Sequence, residues 1–480
     1  MYITHGQLIN EKIRSEAVMS DLDFFSKEIV AWKASEPRLE AITADKYYKG
    51  DHDILNRRRT TFNSEGKEIE TKRLPNNRVV DNQYGKLVDQ KKNYLLSKEI
   101  TFDSDNAEYI SALKKIFNRR AMRSIKLCGQ NAINGGISWI FPDITKDEIK
   151  FRVFPAYEIL PFWKNSEHTE LDCAVRYYTA EYYDVDKTKK TLELVEIYKT
   201  TGVERYRLEG GTLHPEEELV PYLSTNDGLF NWDRVPLIPV KANPREIPLI
   251  KRCKELQDSI NLVWSNFVNL TDQNPYNMVL IVKNYSGTDA ECVWDKVAKD
   301  GVINVDTIDG VPGDVDKLQI DVNADNYKTV IDCLKRAMIE NCRGFDAKDD
   351  RLSGNPNQMN IQSMYSDIDL DANDMENEFQ GAFEELLWFV NKYLKLAGLG
   401  DFSGTDVDVI FNRDILINES EAIANCRDSA GVISQHTIIA QHPWTRDVKK
   451  ELKLIEDESK EPDENYDGAF PPNRMDINAE

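Results

Sequence analysis

The sequence predicts an α+β protein that contains more than one folded unit. The chain has 480 residues, of which 41% are hydrophobic, enough for sizeable buried cores. Apolar residues recur with helical spacing before residue 133 and after residue 248. Between residues 138 and 239 they form short alternating runs separated by Gly and Pro turns, which is typical of strands.

Helices are predicted over residues 1–35, 81–96 and 105–133. The segments 139–141 and 149–154 flank a polar stretch and predict a β-hairpin. Further strands are expected at residues 174–178, 192–198 and 203–208.

A heptad seam follows Pro248 and predicts a helix about 40 Å long at the usual rise per residue. Its narrow apolar stripe favours packing against another helix, within the chain or between subunits, over a place in the core of a monomer. Polar residues, including Asn261 and Asn269, occupy its other faces. The seam consists of Leu249, Cys253, Leu256, Ile260, Val263, Phe267 and Leu270.

The remaining chain predicts a small α/β insert at 275–323 between two helices, with the second helix ending near Cys342. A polar loop at 346–358 precedes the longest helix, which extends from Ile361 to Tyr393. A strand at 407–411 is followed by short helices, the first of which is predicted to begin at a cap on Asn418. An acidic tail expected to be disordered completes the chain.

Composition limits the function. No apolar run is long enough to span a bilayer, the start lacks a signal-peptide pattern, and the cysteines form no CxxC pair. We therefore expect a protein made in the cytoplasm, with no membrane segment, disulfide framework, metal or cofactor. The formal net charge of −22 suits a channel that DNA slides through, but it is also common in soluble proteins.

The sequence contains no Walker A loop, GxGxxG or GxSxG. Asp143, Glu148 and Lys150 resemble the metal-binding set of PD…ExK nucleases, but their spacing within one hairpin is poor. A solvated turn is the simpler interpretation. We expect no enzymatic activity.

Several segments resemble the portal proteins of long-tailed bacteriophages, and their order covers most of the chain from about residue 44 to 458. Tyr47–His52, Asn76–Tyr84 and Leu95–Ile100 look like the family's N-terminal wing, and Phe154–Pro161 looks like its sheet. Ser353 and Gly354 resemble the loop before the long helix, although Asn355–Gln358 departs from the family's small apolar residues. The crown is matched by Phe411–Asp414, Glu419, Gly431, Ser434, Thr437, Pro443, Asp447 and Glu451.

The resemblance implies the portal fold: a ring of about twelve subunits around a channel for double-stranded DNA, located at the capsid vertex of the virion. It divides the chain into a wing (1–245 and 359–415), stem helices (246–274 and 324–345), a clip (275–323), a tunnel loop (346–358), a crown (416–460) and a tail (461–480). The expected partners are the terminase large subunit, the head–tail adaptor, and the major capsid and scaffolding proteins.

The resemblance also assigns residues to three surfaces. The stem packs through Leu249, Leu256, Ile260, Val263, Phe267 and Leu270, which are part of the heptad seam. The clip binds terminase and adaptor through Asp289, Glu291, Asp295, Lys296 and Lys299. The tunnel loop faces DNA through Lys348, Arg351, Asn355, Asn357 and Gln358. Two alternatives remain: a coiled-coil scaffold that never touches DNA, and the metal-dependent nuclease.

Overall fold

The computed structural model describes residues 21–62, 65–70, 75–145, 148–225, 228–273, 278–284, 305–319, 323–346, 358–413, 418–445 and 448–460. Within these ranges the protein is mixed α+β, as predicted, with 11 α-helices and 16 strands. The chain divides into two compact units. Unit 1 comprises Met1–Phe345 and Asp367–Asp414, and unit 2 comprises Asp346–Ser366 and Ile415–Glu480.

The N-terminal part of unit 1 is mainly helical. Its elements are α1 (Asp21–Lys33), α2 (Glu36–Tyr48), β1 (Thr60–Phe62), β2 (Glu68–Glu70), α3 (Gln83–Leu96), β3 (Thr101–Asp103), α4 (Ala107–Ile116) and α5 (Arg119–Gly135). The prediction of one helix over 105–133 is wrong. The Asn118 side chain accepts hydrogen bonds from the backbone N–H groups of Arg120 and Ala121, so it caps a second helix.

The predicted β-region follows. Its elements are β4 (Ile137–Ile144), β5 (Ile149–Pro155), β6 (Ile159–Trp163), β7 (Leu171–Tyr183), β8 (Lys189–Lys199), β9 (Gly202–Glu209), β10 (Thr212–Val220), β11 (Leu223–Thr225), β12 (Gly228–Phe230) and β13 (Ile238–Lys241). Strands β6 to β10 form an antiparallel meander in chain order, and β4 lies between β13 and β5 in a second sheet. The hairpin predicted from residues 139–141 and 149–154 is therefore confirmed as the pair β4 and β5.

Helix α1 covers one face of the five-stranded meander. Phe25 and Ile29 pack against Val175, Val195 and Ile197 in a separate small core. The alternation of buried and exposed residues along these strands follows from their two-residue period.

The two predicted helices around the insert are present. They are α6 (Ile250–Gln273) and α7 (Ala324–Asn341), with β14 (Met278–Lys283) and β15 (Asp314–Gln319) between them as an antiparallel pair. The helices pack antiparallel, since the Phe267 ring near the end of α6 contacts Tyr327 near the start of α7 at 5.1 Å. The long helix α8 (Gln358–Leu396) follows, and its residues from 367 onward belong to unit 1.

Strand β16 (Asp408–Ile410) pairs with β3 and completes unit 1. The main core of unit 1 collects side chains from α3, α4, α5, α6 and α8 around Tyr84, Leu113, Phe379 and Phe389, all at most 1% exposed. The described cysteines are free thiols. Among the described helices, none combines the length and the apolar character that crossing a membrane requires.

Unit 2 holds the short helices α9 (Glu419–Asp428), α10 (Gln435–Gln441) and α11 (Val448–Lys460). The predicted cap at Asn418 is confirmed, because its side chain accepts a hydrogen bond from the backbone N–H of Glu421. Ser434 caps α10 in the same way through the N–H of Thr437.

Candidate functional site: the stem helices and their attachment

The buried side of α6 is polar over most of its length. Gln257, Asn261, Ser265 and Asn269 are fully buried and lie four residues apart, so they form one stripe along the helix. Of the predicted apolar seam, Leu249, Cys253 and Ile260 are buried, whereas Leu256, Val263, Phe267 and Leu270 are half-buried. The seam as an interface between subunits stays a prediction.

The polar stripe binds an extended segment that precedes α3. Each of its four side chains accepts a hydrogen bond from a backbone N–H of residues 77–84. Four helical residues rise about 6 Å, and two extended residues span about the same distance, so the first three pairs stay in register. The fourth donor, Tyr84, lies three residues after Asp81, in the first turn of α3. The pairs are Asn77 with Asn269 at 2.7 Å, Val79 with Ser265 at 2.9 Å, Asp81 with Asn261 at 3.0 Å and Tyr84 with Gln257 at 2.9 Å.

This arrangement, which we call the polar ladder, substitutes for a β-partner. The N–H groups of an extended segment need acceptors when they are removed from water. Sequence reasoning missed the ladder because Asn261 and Asn269 were assigned to the outer faces of the helix. The four-residue spacing of short polar side chains on α6 was the available signal.

His52 extends the ladder. The Asn261 side-chain amide donates to Nδ1 of His52 at 2.7 Å, which leaves Nε2 to donate to the Tyr47 carbonyl at 3.0 Å. The imidazole is fully buried and stacks on the Tyr47 ring. Burial lowers the pKa of His52, although its hydrogen bond to Tyr47 opposes the shift. The histidine is therefore neutral and structural.

Asp81 connects the polar ladder to α7. Lys335 of α7 lies 2.7 Å from its carboxylate, and Trp264 of α6 donates an indole hydrogen bond at 3.1 Å. Burial alone would raise the pKa of Asp81, but these two contacts and a hydrogen bond from Gln83 outweigh it and lower the pKa. One carboxylate therefore holds both stem helices to the segment before α3.

A second carboxylate, Asp371 of α8, forms ion pairs with three cations from three parts of the chain. Lys91 of α3 lies 2.6 Å away, Arg252 of α6 2.9 Å away, and Arg343, just after α7, also 2.9 Å away. Burial would raise the pKa of Asp371, but the charges of Lys91 and Arg252 and the hydrogen bonds from Lys91 and Arg343 lower it. We call this group the Asp371 cluster. It joins both stem helices to α8.

The other predicted site residues lie mostly outside the described residues. This holds for the clip residues Asp289, Glu291, Asp295, Lys296 and Lys299. It also holds for Lys348, Arg351, Asn355 and Asn357 of the tunnel loop, whereas Gln358 begins α8. These assignments stay predictions.

The geometry of the β4–β5 hairpin does not support the nuclease alternative. Asp143 lies opposite Lys150 in the register of the hairpin, and Glu148 forms an ion pair with Lys150. The lysine is thus engaged by its own hairpin. No His, Cys, Asp and Glu group in the described part of the chain could hold a metal ion.

Buried polar contacts thus anchor the antiparallel pair α6 and α7, and the comparisons with known proteins identify the family. The family model described as "Phage portal protein, SPP1 Gp6-like" matches residues 32–465. The chain therefore belongs to the phage portal protein family, whose members are structural components of the virion.

Two curated relatives agree over nearly their whole length. The portal protein of Bacillus phage SPP1 is 25% identical over 467 residues, which cover 95% of this chain and 90% of the relative. The portal protein of Clostridium phage phiCD119 is 23% identical over 436 residues, which cover 88% of this chain and 93% of the relative. The resemblance inferred from the sequence is thereby confirmed.

Replacing Ser265 with Ala should destabilise the protein by about 1–3 kcal/mol, because the N–H of Val79 loses its acceptor. Denaturant unfolding measures the change, and hydrogen exchange should show faster exchange at the Val79 amide. Ser259→Ala is the matched control: its hydroxyl donates to the Glu255 carbonyl in the same helix and is exposed. An equal effect of both substitutions would contradict the ladder's role.

Replacing Asp371 with Asn should lower the free energy of unfolding by about 3 kcal/mol near pH 7, because three cations lose their carboxylate. The folded-state pKa of Asp371 is lowered, so its contribution is present above the unfolded-state pKa and disappears as the pH falls through the folded-state pKa. The two proteins should therefore converge in stability in acid. Asp332→Asn, at an exposed position of α7, should change little at any pH.

Proposed function

We propose that this chain assembles into a closed ring of about twelve copies whose axial channel conducts double-stranded DNA into and out of the phage capsid. The observation that carries the proposal is the family match, which extends over residues 32–465 and includes both stem helices. Channel formation during DNA packaging is the general function of that family.

Different parts of the subunit have different proposed roles. Helices α6 and α7 are the proposed stem, and the β14–β15 pair that joins them belongs to the proposed clip at 275–323. The clip docks the terminase large subunit during packaging and the head–tail adaptor afterwards. Residues 1–245 and 359–415 form the wing, residues 416–460 form the crown, and the major capsid and scaffolding proteins surround them.

Electron microscopy and native mass spectrometry of the purified chain test the ring. A closed particle with an axial hole and a narrow mass distribution near twelve copies is the expected result. A rod or dimer would favour the scaffold alternative. A chain that remains monomeric at micromolar concentration would overturn the proposal.

The loop at 346–358 is proposed to line the channel. Lys348 and Arg351 lie in sequence among Asp346, Asp349 and Asp350, so the attraction of the loop for phosphate is weak and each contact with DNA is brief.

Changing Asp346, Asp349 and Asp350 together to Asn should leave rings intact but lower the packaging rate or the packaged DNA length, because a net positive loop is repeated around the channel. An in vitro packaging assay measures both quantities. The opposite change, Lys348→Gln with Arg351→Gln, is the control and should not stall DNA. Packaging by the aspartate variant at the wild-type rate would show that the loop does not line the channel.

A further inference from the structure

Unit 1 carries a concentrated basic surface although the protein is strongly acidic. Residues 114–126 contain six cations and no carboxylate, in a chain of net charge −22. All of the six are exposed except Lys126, which is half-buried, and none forms an ion pair anywhere in the described part of the chain. We call this surface the basic face. It consists of Lys114, Lys115, Arg119, Arg120, Arg123 and Lys126, on α4 and α5.

Helix α8 has the opposite character. Residues 358–391 contain eight carboxylates and neither Lys nor Arg. Arg413 neutralises Asp369 and Glu376, and the Asp371 cluster neutralises Asp371. The other five carboxylates have no ion-pair partner among the described residues, and we call them the acidic face. They are Asp367, Asp374, Glu378, Glu384 and Glu385.

The acidic face borders an open cleft of about 810 Å³, whose lining includes Glu378, Glu384 and Glu385 together with the basic side chains of Lys164, Arg234 and Lys241. Burial and, more weakly, the charge of Glu170 raise the pKa of Glu385 to about 7, although Arg234 opposes the shift. Within one copy, Arg234 therefore offsets the burial of this carboxylate only in part. The cleft leaves room for basic side chains that enter from outside.

The two faces lie on different helices, away from the contact between α5 and α8. The buried side of α5 meets α8 at Gly129, where an added Cβ would lie 3.2 Å from Met375 and 3.5 Å from Phe379. Both helices carry their unpaired charges on the sides turned away from this contact. Each face also exposes one large apolar side chain, Leu127 on α5 and Leu370 on α8.

We propose that the basic face of one copy docks on the acidic face of α8 in the next copy of the same chain. Separate and complementary surfaces on one subunit produce a head-to-tail contact, and repetition of that contact gives a ring when the rotation between neighbouring copies closes. The proposal rests on the proposed ring and identifies the surfaces that join its subunits. A basic face that served DNA instead would leave the acidic face of α8 without a role.

Charge reversal tests the contact in the full-length chain. Arg119→Glu, Arg120→Glu and Arg123→Glu together make both faces acidic, and Asp374→Lys, Glu378→Lys and Glu384→Lys together make both faces basic. The ring population of each triple variant, measured by native mass spectrometry, should fall at least tenfold below that of the wild-type chain. Circular dichroism should show an unchanged fold. Lys86→Glu, Lys187→Glu and Arg245→Glu, at exposed positions elsewhere, are the matched control and should assemble normally.

Mixing the two triple variants in equal amounts should restore rings in which they alternate, since every junction then joins opposite charges. A zero-length carbodiimide reagent should also link Lys114 or Lys115 to Glu378 or Glu384 in rings of mixed ¹⁴N and ¹⁵N copies, and mass spectrometry should find the ¹⁴N–¹⁵N pair.

The outcomes separate this contact from the proposed function. Rings that persist in both triple variants, with no mixed-isotope link, would overturn the contact and leave the ring itself established. Intact rings of the arginine variant that package less DNA would assign the basic face to DNA and overturn the contact as well. A wild-type chain that forms no ring would overturn both proposals.

Discussion

The polar ladder between α6 and the segment before α3 is the contact on which the rest of unit 1 depends. It fixes residues 77–84 against the stem, and this segment leads directly into α3, whose Tyr84, Leu87 and Val88 lie in the main core. The hydrogen bonds are individually modest, but an extended segment without them would leave a row of N–H groups without acceptors. The ladder thus sets the position of α6 relative to α3 and the main core of unit 1.

The ladder also explains why α6 is more polar than a usual core helix. An apolar stripe would bury well against side chains, but it offers no acceptor to a neighbouring backbone. Ile260 and Leu249 supply the apolar contacts, while Gln257, Asn261 and Ser265 satisfy the extended segment. Half-buried Leu256 and Val263 remain on another side of the helix.

The sequence predicted those parts of the fold whose causes are local. The stripe of α8, the meander and the cap at Asn418 follow from periodicity or from a side chain three residues away. The break at Asn118 was equally local and could have been recognised from its capping residue. The ladder and the Asp371 cluster could not be predicted, because their partners lie about 180 and 280 residues apart in sequence. Composition alone does not show which distant groups meet.

The three cations of the Asp371 cluster differ in how far they are exposed to solvent. Arg343 is the most exposed of them and is the last one before the polar loop, whereas Lys91 is almost fully buried. Without Arg343, Lys91 and Arg252 would still neutralise the carboxylate. Loss of the Arg343 contact would therefore leave no uncompensated buried charge on α8.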